Sequence, residues 1–136
     1  MDRSTPESCV LLVDDDEAVR GLMERLLQAA GLTVISAGDP VDAARKYRSC
    51  TSRVAALVTD LDLPRISGLE LAAVLVEVDP ELPVLIVSGA FSRYPDSLEQ
   101  ITARGWRWLA KPFSPGTLVS MVRAAIGTTE EPQRVH

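Results

Sequence analysis

An apolar run, Leu57-Val58-Thr59, ends in a carboxylate, Asp60, and the breaker Pro64 closes the Leu61-Asp62-Leu63-Pro64 segment that follows. A buried strand has no local use for an ionised Asp at its tip. Burying that charge is costly unless a cation or hydrogen-bond donors meet it. Two other stretches can do so. Asp14-Asp15-Asp16 follows the apolar run Cys9-Val10-Leu11-Leu12-Val13, and Lys111 follows Leu109-Ala110. Carboxylates at two strand ends and a lysine at a third make a cation-dependent site for an anion.

Helix capping and the helix dipole explain one Asp of the first run, at a gain of about 1 kcal/mol. They do not explain several. Two carboxylates about 4 Å apart repel by roughly 4 kcal/mol at an effective dielectric of about 20. A divalent cation offsets that, and Mg²⁺ suits one or two carboxylates, waters and a phosphoryl oxygen. Asp60 can then act as a nucleophile, because a carboxylate can form an acyl phosphate. Phosphoryl transfer asks for charge neutralisation and positioning more than acid–base work. Lys111 supplies a second positive centre. Only Lys46 and Lys111 are lysines among 14 basic residues, and a compact ammonium just past a strand end reads as a phosphate contact. Ser88, before Gly89-Ala90, can donate to a phosphoryl oxygen, although a strand-terminating turn explains it equally well. Trp106 and Trp108 flank Arg107 and so share one strand face, where half-buried aromatics filling that face are the simplest account.

The elements that must position these groups alternate along the chain. Residues 9–14 form the first strand, a continuous apolar run of the kind buried on both faces. Asp15 or Asp16 caps an amphipathic helix from Glu17 to Ala30, with Val19, Leu22, Met23, Leu26 and Leu27 on one face and Gly31 as its stop. Residues 32–36 are the second strand. Asp39 caps a helix with Pro40 at its first position, running to about Arg48. Further strands are expected over 54–59, 83–88 and 106–110, and further helices over 68–78, 95–103 and 117–126. Five alternations of strand and helix imply an α/β fold with a parallel sheet covered on both faces by right-handed crossovers. In such folds ligands gather outside the carboxyl ends of the strands, where Asp14, Asp60, Ser88 and Lys111 all lie.

At 136 residues, 46% hydrophobic and 24% charged, the chain fits one domain with a single sizeable core. A net charge of −5 gives no basic footprint for nucleic acid. No apolar run approaches the roughly 20 residues that span a membrane, and the first eight residues lack the apolar segment of a secretory signal. A cytoplasmic protein is expected. Cys9 and Cys50 are distant in sequence, with no Cys or His near either, so two reduced, semi-buried thiols are expected rather than a disulfide or zinc site. The only histidine, His136, ends the chain, and histidine catalysis is not expected.

The chain resembles the receiver domain of two-component response regulators, the CheY fold. The matching pieces are residues 10–17, residues 58–64 with Gly68, Val87-Ser88-Gly89 and Lys111-Pro112-Phe113. The resemblance implies a flavodoxin-like (βα)₅ domain over residues 9–127 with strand order 2-1-3-4-5, a flexible leader over 1–8, and a polar tail or start of a linker over 128–136. It implies that Asp60 is the phosphoacceptor, that Asp14 and Asp15 hold Mg²⁺ with Asp60, and that Asp62 offers the metal its backbone carbonyl. Lys111 matches the phosphate-binding lysine, with a cis Lys111-Pro112 peptide. Ser88 matches the hydroxyl residue that swings onto the phosphoryl group, and Trp108 the switch aromatic, where Tyr or Phe is usual. Ser88 lacks the methyl of Thr, the Gly105–Trp108 segment is one residue shorter than the common version, and small Ala90 leaves water access to the acceptor open. The implied partners are a histidine kinase or histidine phosphotransfer domain, a fused or separate output domain, and a second copy of the chain, with no nucleic acid and no membrane. Two other readings stand beside this one. One is a degenerate receiver used as a docking module. The other is an Mg²⁺-dependent phosphohydrolase built on Asp60-Leu61-Asp62, although no cap domain or further acidic motif follows. A nucleotide- or flavin-binding domain lacks its glycine-rich loop after the first strand.

Overall fold

The computed structural model describes residues 8–50 and 53–127, so the expected leader up to residue 7 and the expected tail from 128 lie outside the described residues. Five strands run through the molecule: β1 Cys9–Val13, β2 Val34–Ala37, β3 Val54–Asp60, β4 Val84–Ser88 and β5 Arg107–Ala110. All neighbours pair in parallel, in the order β2-β1-β3-β4-β5. The helices are α1 Glu17–Ala29, α2 Pro40–Ser49, α3 Gly68–Val78, α4 Pro95–Ala103 and α5 Pro115–Ile126.

Parallel strands buried on both faces need apolar side chains at every position, because successive residues face opposite sides of the sheet. β1, β3 and β4 are buried throughout. Leu11, Val13, Leu57 and Ile86 point to one face, where they pack with Leu71 and Leu75 of α3, Ala43 of α2 and Ile101 of α4. Val10, Leu12, Val58, Leu85 and Val87 point to the other, against Met23 and Leu27 of α1 and Leu118, Val122 and Ile126 of α5. No helix among the described residues is long and apolar enough to cross a membrane.

The helix starts follow local chemistry. Asp16, not Asp15, caps α1 and accepts from the N–H groups of Ala18 and Val19. Asp39 caps α2 and Ser114 caps α5, each with Pro at the helix start. Ser67 and Glu70 form a reciprocal capping box on α3. Gly31 and Gly127 end α1 and α5 at φ of 92° and 94°, a region that L side chains rarely adopt. Cys9 and Cys50 are thiols, but they are adjacent in space, with Sγ atoms 3.7 Å apart, because α2 ends beside the start of β1.

The turn from β3 into α3 is tight. Gly68 N–H donates to the Leu61 carbonyl at 2.8 Å. A Cβ on Gly68 would overlap the Asp60 carbonyl oxygen and sit 3.0 Å from the Asp60 carbonyl carbon. Those atoms are backbone and cannot step aside cheaply. Gly68→Ala is therefore expected to displace the segment after Asp60 and destabilise the fold by about 1–3 kcal/mol, read as a fall in thermal midpoint.

Candidate functional site

Four of the expected site residues lie at the carboxyl end of the sheet, while Trp108 lies within β5, in register with Ile86. Asp14 follows β1, Asp60 ends β3, Ser88 ends β4 and Lys111 follows β5. The backbone hands Lys111 across β4, since its N–H donates to the Ser88 carbonyl at 2.9 Å. Its ammonium then reaches Asp14 Oδ2 at 3.0 Å and Asp60 Oδ1 at 3.5 Å. The Lys111-Pro112 peptide is cis.

Asp14 is 2% exposed and Asp60 is 8% exposed, so both charges are largely out of water, while Asp15 is exposed. One carboxylate oxygen from each of Asp14, Asp15 and Asp60 lies within 4.8 Å of the other two. Oxygen-only donors at that spacing match the preference of a hard divalent cation such as Mg²⁺. Asp14 is fixed from two sides. Its Oδ1 accepts from the Asp16 N–H at 2.9 Å, and its carbonyl accepts from Arg20 Nη1 at 2.8 Å. Asp62 is exposed in the loop after β3.

Burial pushes the Asp60 carboxyl up to about 6; Lys111 pulls it down, while Asp14 and Asp62 add to the rise. Burial lowers the Lys111 ammonium, but Asp14 and Asp60 outweigh this and hold it above its ordinary value. One lysine therefore leaves the carboxylates under-neutralised, with excess negative charge at an open strand end.

Ser88 is fully buried, and its Oγ accepts from the Ala90 N–H at 2.9 Å. Trp108 lies two residues before Ala110, the β5 partner of Ser88. Its ring is 44% exposed and meets Phe91 edge-on, with centroids 5.4 Å apart at 70°. Trp106 is half-buried against the α3 face of the core, with the Arg104 guanidinium 4.8 Å from its ring centroid. Two residues were missed in the sequence. Arg20 holds the Asp14 loop, and its signal was a basic residue in the second turn of the helix that follows the acidic run. Phe91 lies in a one-turn 3₁₀ helix, Phe91–Arg93, too short to show any period.

Residues 10–123 match the family described as response regulator receiver domain. The chain is 35% identical over 127 residues to the transcriptional regulatory protein PrrA of Mycobacterium tuberculosis, covering 93% of this chain and 53% of that protein. It is 33% identical over 139 residues to the transcriptional regulatory protein FixJ of Azorhizobium caulinodans, covering 95% of this chain and 60% of that one. It thus spans little more than half the length of these relatives. The chemotaxis protein CheY4 of Vibrio cholerae superposes with a TM-score of 0.77 at 27% identity, covering 87% of this chain and 98% of that one.

The raised Asp60 carboxyl has a thermodynamic sign. Its folded value, about 6, lies above the ordinary 3.8, so the folded chain binds more protons than the unfolded chain between those values. Stability therefore falls as pH rises through that window, and above it the ionised carboxylate costs the metal-free fold up to roughly 3 kcal/mol. Asp60→Asn is expected to raise the thermal midpoint of the metal-free protein at pH 8. The gain should shrink as pH falls through 6 toward 4, as thermal unfolding across that range will show.

Proposed function

The chain belongs to the response regulator receiver domain family, and from that premise we propose that it is a phosphoacceptor domain in which Asp60 takes a phosphoryl group from a partner's phosphohistidine. The observation that carries this reading is the buried Asp60 carboxylate at the end of β3, 3.5 Å from Lys111 Nζ and within 4.8 Å of the Asp14 and Asp15 carboxylates. The partner is a histidine kinase or histidine phosphotransfer domain, and acetyl phosphate can stand in as donor. A fused or separate output domain is implied by the greater length of PrrA and FixJ. The setting is the cytoplasm.

In the transfer step an Asp60 carboxylate oxygen attacks phosphorus in line with the leaving group. A new P–O bond forms as the donor P–N bond breaks, and the imidazole leaves with the electron pair and takes a proton from solvent. Asp14, Asp15, Asp60 and the Asp62 backbone carbonyl are the proposed Mg²⁺ ligands, and the ion supplies neutralisation of developing charge on the phosphoryl oxygens. Lys111 is already at the site and turns from the carboxylates to a phosphoryl oxygen as charge moves outward. Ser88 swings from the Ala90 N–H to donate its hydroxyl proton to another. Water attack on the acyl phosphate, with Ala90 leaving the approach open, returns the Asp60 carboxylate and releases inorganic phosphate. The chain is thus no conventional enzyme; its chemistry is self-phosphotransfer and autodephosphorylation.

Intact mass after incubation with acetyl phosphate and Mg²⁺ tests the proposal. The parent is expected to gain one phosphoryl group and Asp60→Asn none. Retained Mg²⁺ binding with no phosphoryl gain would instead make the chain a phosphorylation-independent docking module. Replacing Lys111 by Ala removes a charge aimed at the transferring group and should slow the gain by about 10²-fold or more, measured by the same mass assay over time. In a Trp106→Phe background, phosphorylation is expected to change the fluorescence of Trp108, since Ser88 leaves its place on the same strand face.

A further inference from the structure

The described residues bring one further pair of reactive side chains together, at the end of the sheet away from Asp60. Cys9 opens β1 and Cys50 caps the end of α2. They are 41 positions apart in sequence, yet their sulfurs are 3.7 Å apart. Backbone structure sets both ends. Cys9 pairs in register with Val54, and its N–H donates to the Arg53 carbonyl at 2.8 Å. The Cys50 N–H donates to the Tyr47 carbonyl at 3.4 Å, at the last turn of α2. A disulfide requires the sulfurs to close to about 2.05 Å. The remaining travel is short, and a side-chain rotation with a small shift at the exposed helix end can supply it.

We propose that Cys9 and Cys50 form a redox modification site, a dithiol that closes to an intramolecular disulfide on exposure to a small disulfide such as oxidised glutathione. The two cysteines have different parts. Cys50 is half-buried and meets the oxidant first. Cys9 is 3% exposed, and burial followed by the Cys50 contact pushes its thiol up to about 12, so it is a poor first nucleophile. The Cys50 thiolate attacks the small disulfide, forming a mixed disulfide and expelling one thiolate. Cys9 sulfur then attacks Cys50 sulfur, the second small thiolate leaves, and the Cys9 proton passes to it. Two protein thiols are oxidised by two electrons, and one small disulfide is reduced to two thiols. The product ties the end of α2 to the start of β1 and leaves the Asp14, Asp60 and Lys111 end of the sheet untouched. In a reducing compartment such a bond is conditional, formed under oxidant and lost afterwards.

The test incubates the full chain with oxidised glutathione, blocks remaining thiols with a maleimide, and reads intact mass and non-reduced peptides. The parent is expected to lose two hydrogens, yield a linked Cys9–Cys50 peptide, and gain roughly 10 °C in thermal midpoint, reversed by reductant. Cys9→Ala should stop with one glutathionyl group on Cys50, and Cys50→Ser should leave Cys9 unmodified. Overturning results are a parent that keeps both thiols, one that holds a lasting glutathionyl group on Cys50, or one that cross-links between chains. Because Cys50 is at the rim, Cys50→Ser keeps the test decisive even if the buried Cys9 variant folds poorly.

Discussion

Lys111 Nζ, 3.0 Å from Asp14 and 3.5 Å from Asp60, is the contact on which the carboxyl end of the sheet depends. The two acids stand at the ends of the adjacent strands β1 and β3, and the lysine follows β5, beyond β4. Adjacent strands are about 4.8 Å apart, so the parallel register itself forces the acids together. The cation has to be delivered across β4, and the hydrogen bond from the Lys111 N–H to the Ser88 carbonyl does this. Removing the lysine would leave two largely buried like charges facing each other. Removing Asp60 would leave Lys111 its shorter contact to Asp14. The set is therefore asymmetric, with Asp60 the least satisfied member and the one whose carboxyl is pushed up to about 6.

That asymmetry links stability to chemistry. A fully neutralised Asp60 would be held by partners that any reaction of its carboxylate would have to break. The fold instead keeps it ionised at neutral pH at a cost in stability, against a lysine that is close but not in tight contact. Any cation that binds the folded chain alone repays this by mass action, in proportion to the logarithm of its excess over its dissociation constant. The same imbalance that costs the fold stability thus favours positive charge at the site.

Most of the architecture was legible because the physical signals were redundant. α3 and α4 begin and end where the sequence placed them, since Ser67 with Glu70 and Pro95 mark starts and Asp79 with Gly105 lies just past the ends. β1, β3 and β4 declared themselves as unbroken apolar runs. β2 was displaced, Val34–Ala37 rather than 32–36, because at that edge strand every residue but Ala37 is half-buried and the apolar signal has no sharp limit. The site acids and Lys111 were legible as charges at strand tips. Arg20 was not, because its role is a bond to a backbone carbonyl, and a basic residue early in a helix is too common a signal to single it out. The Cys9–Cys50 contact was invisible for a different reason. It depends on where α2 ends over the sheet, which follows from the crossover geometry and not from any spacing along the chain.

Ser88 and Trp108 share one face of the β4–β5 pair. Ser88 and Ala110 are register partners, and Trp108 is two residues along from Ala110, on the same pleat. A hydroxyl that leaves the Ala90 N–H vacates space beside that pleat. Trp108 is 44% exposed, so turning inward can bury on the order of 100 Å² more, worth about 2.5 kcal/mol. The turn gives up the edge contact with Phe91, worth about 0.5–1.5 kcal/mol. It also confines a large ring. These two amounts alone would favour the inward turn by about 1–2 kcal/mol, so the outward position means that confining the ring costs at least as much. An imbalance of that size is within reach of one new hydrogen bond made by Ser88. The larger indole makes the inward state harder to enter and more rewarding once entered. Trp108 thus rests against Phe91 beside the serine, with no contact that locks the two together.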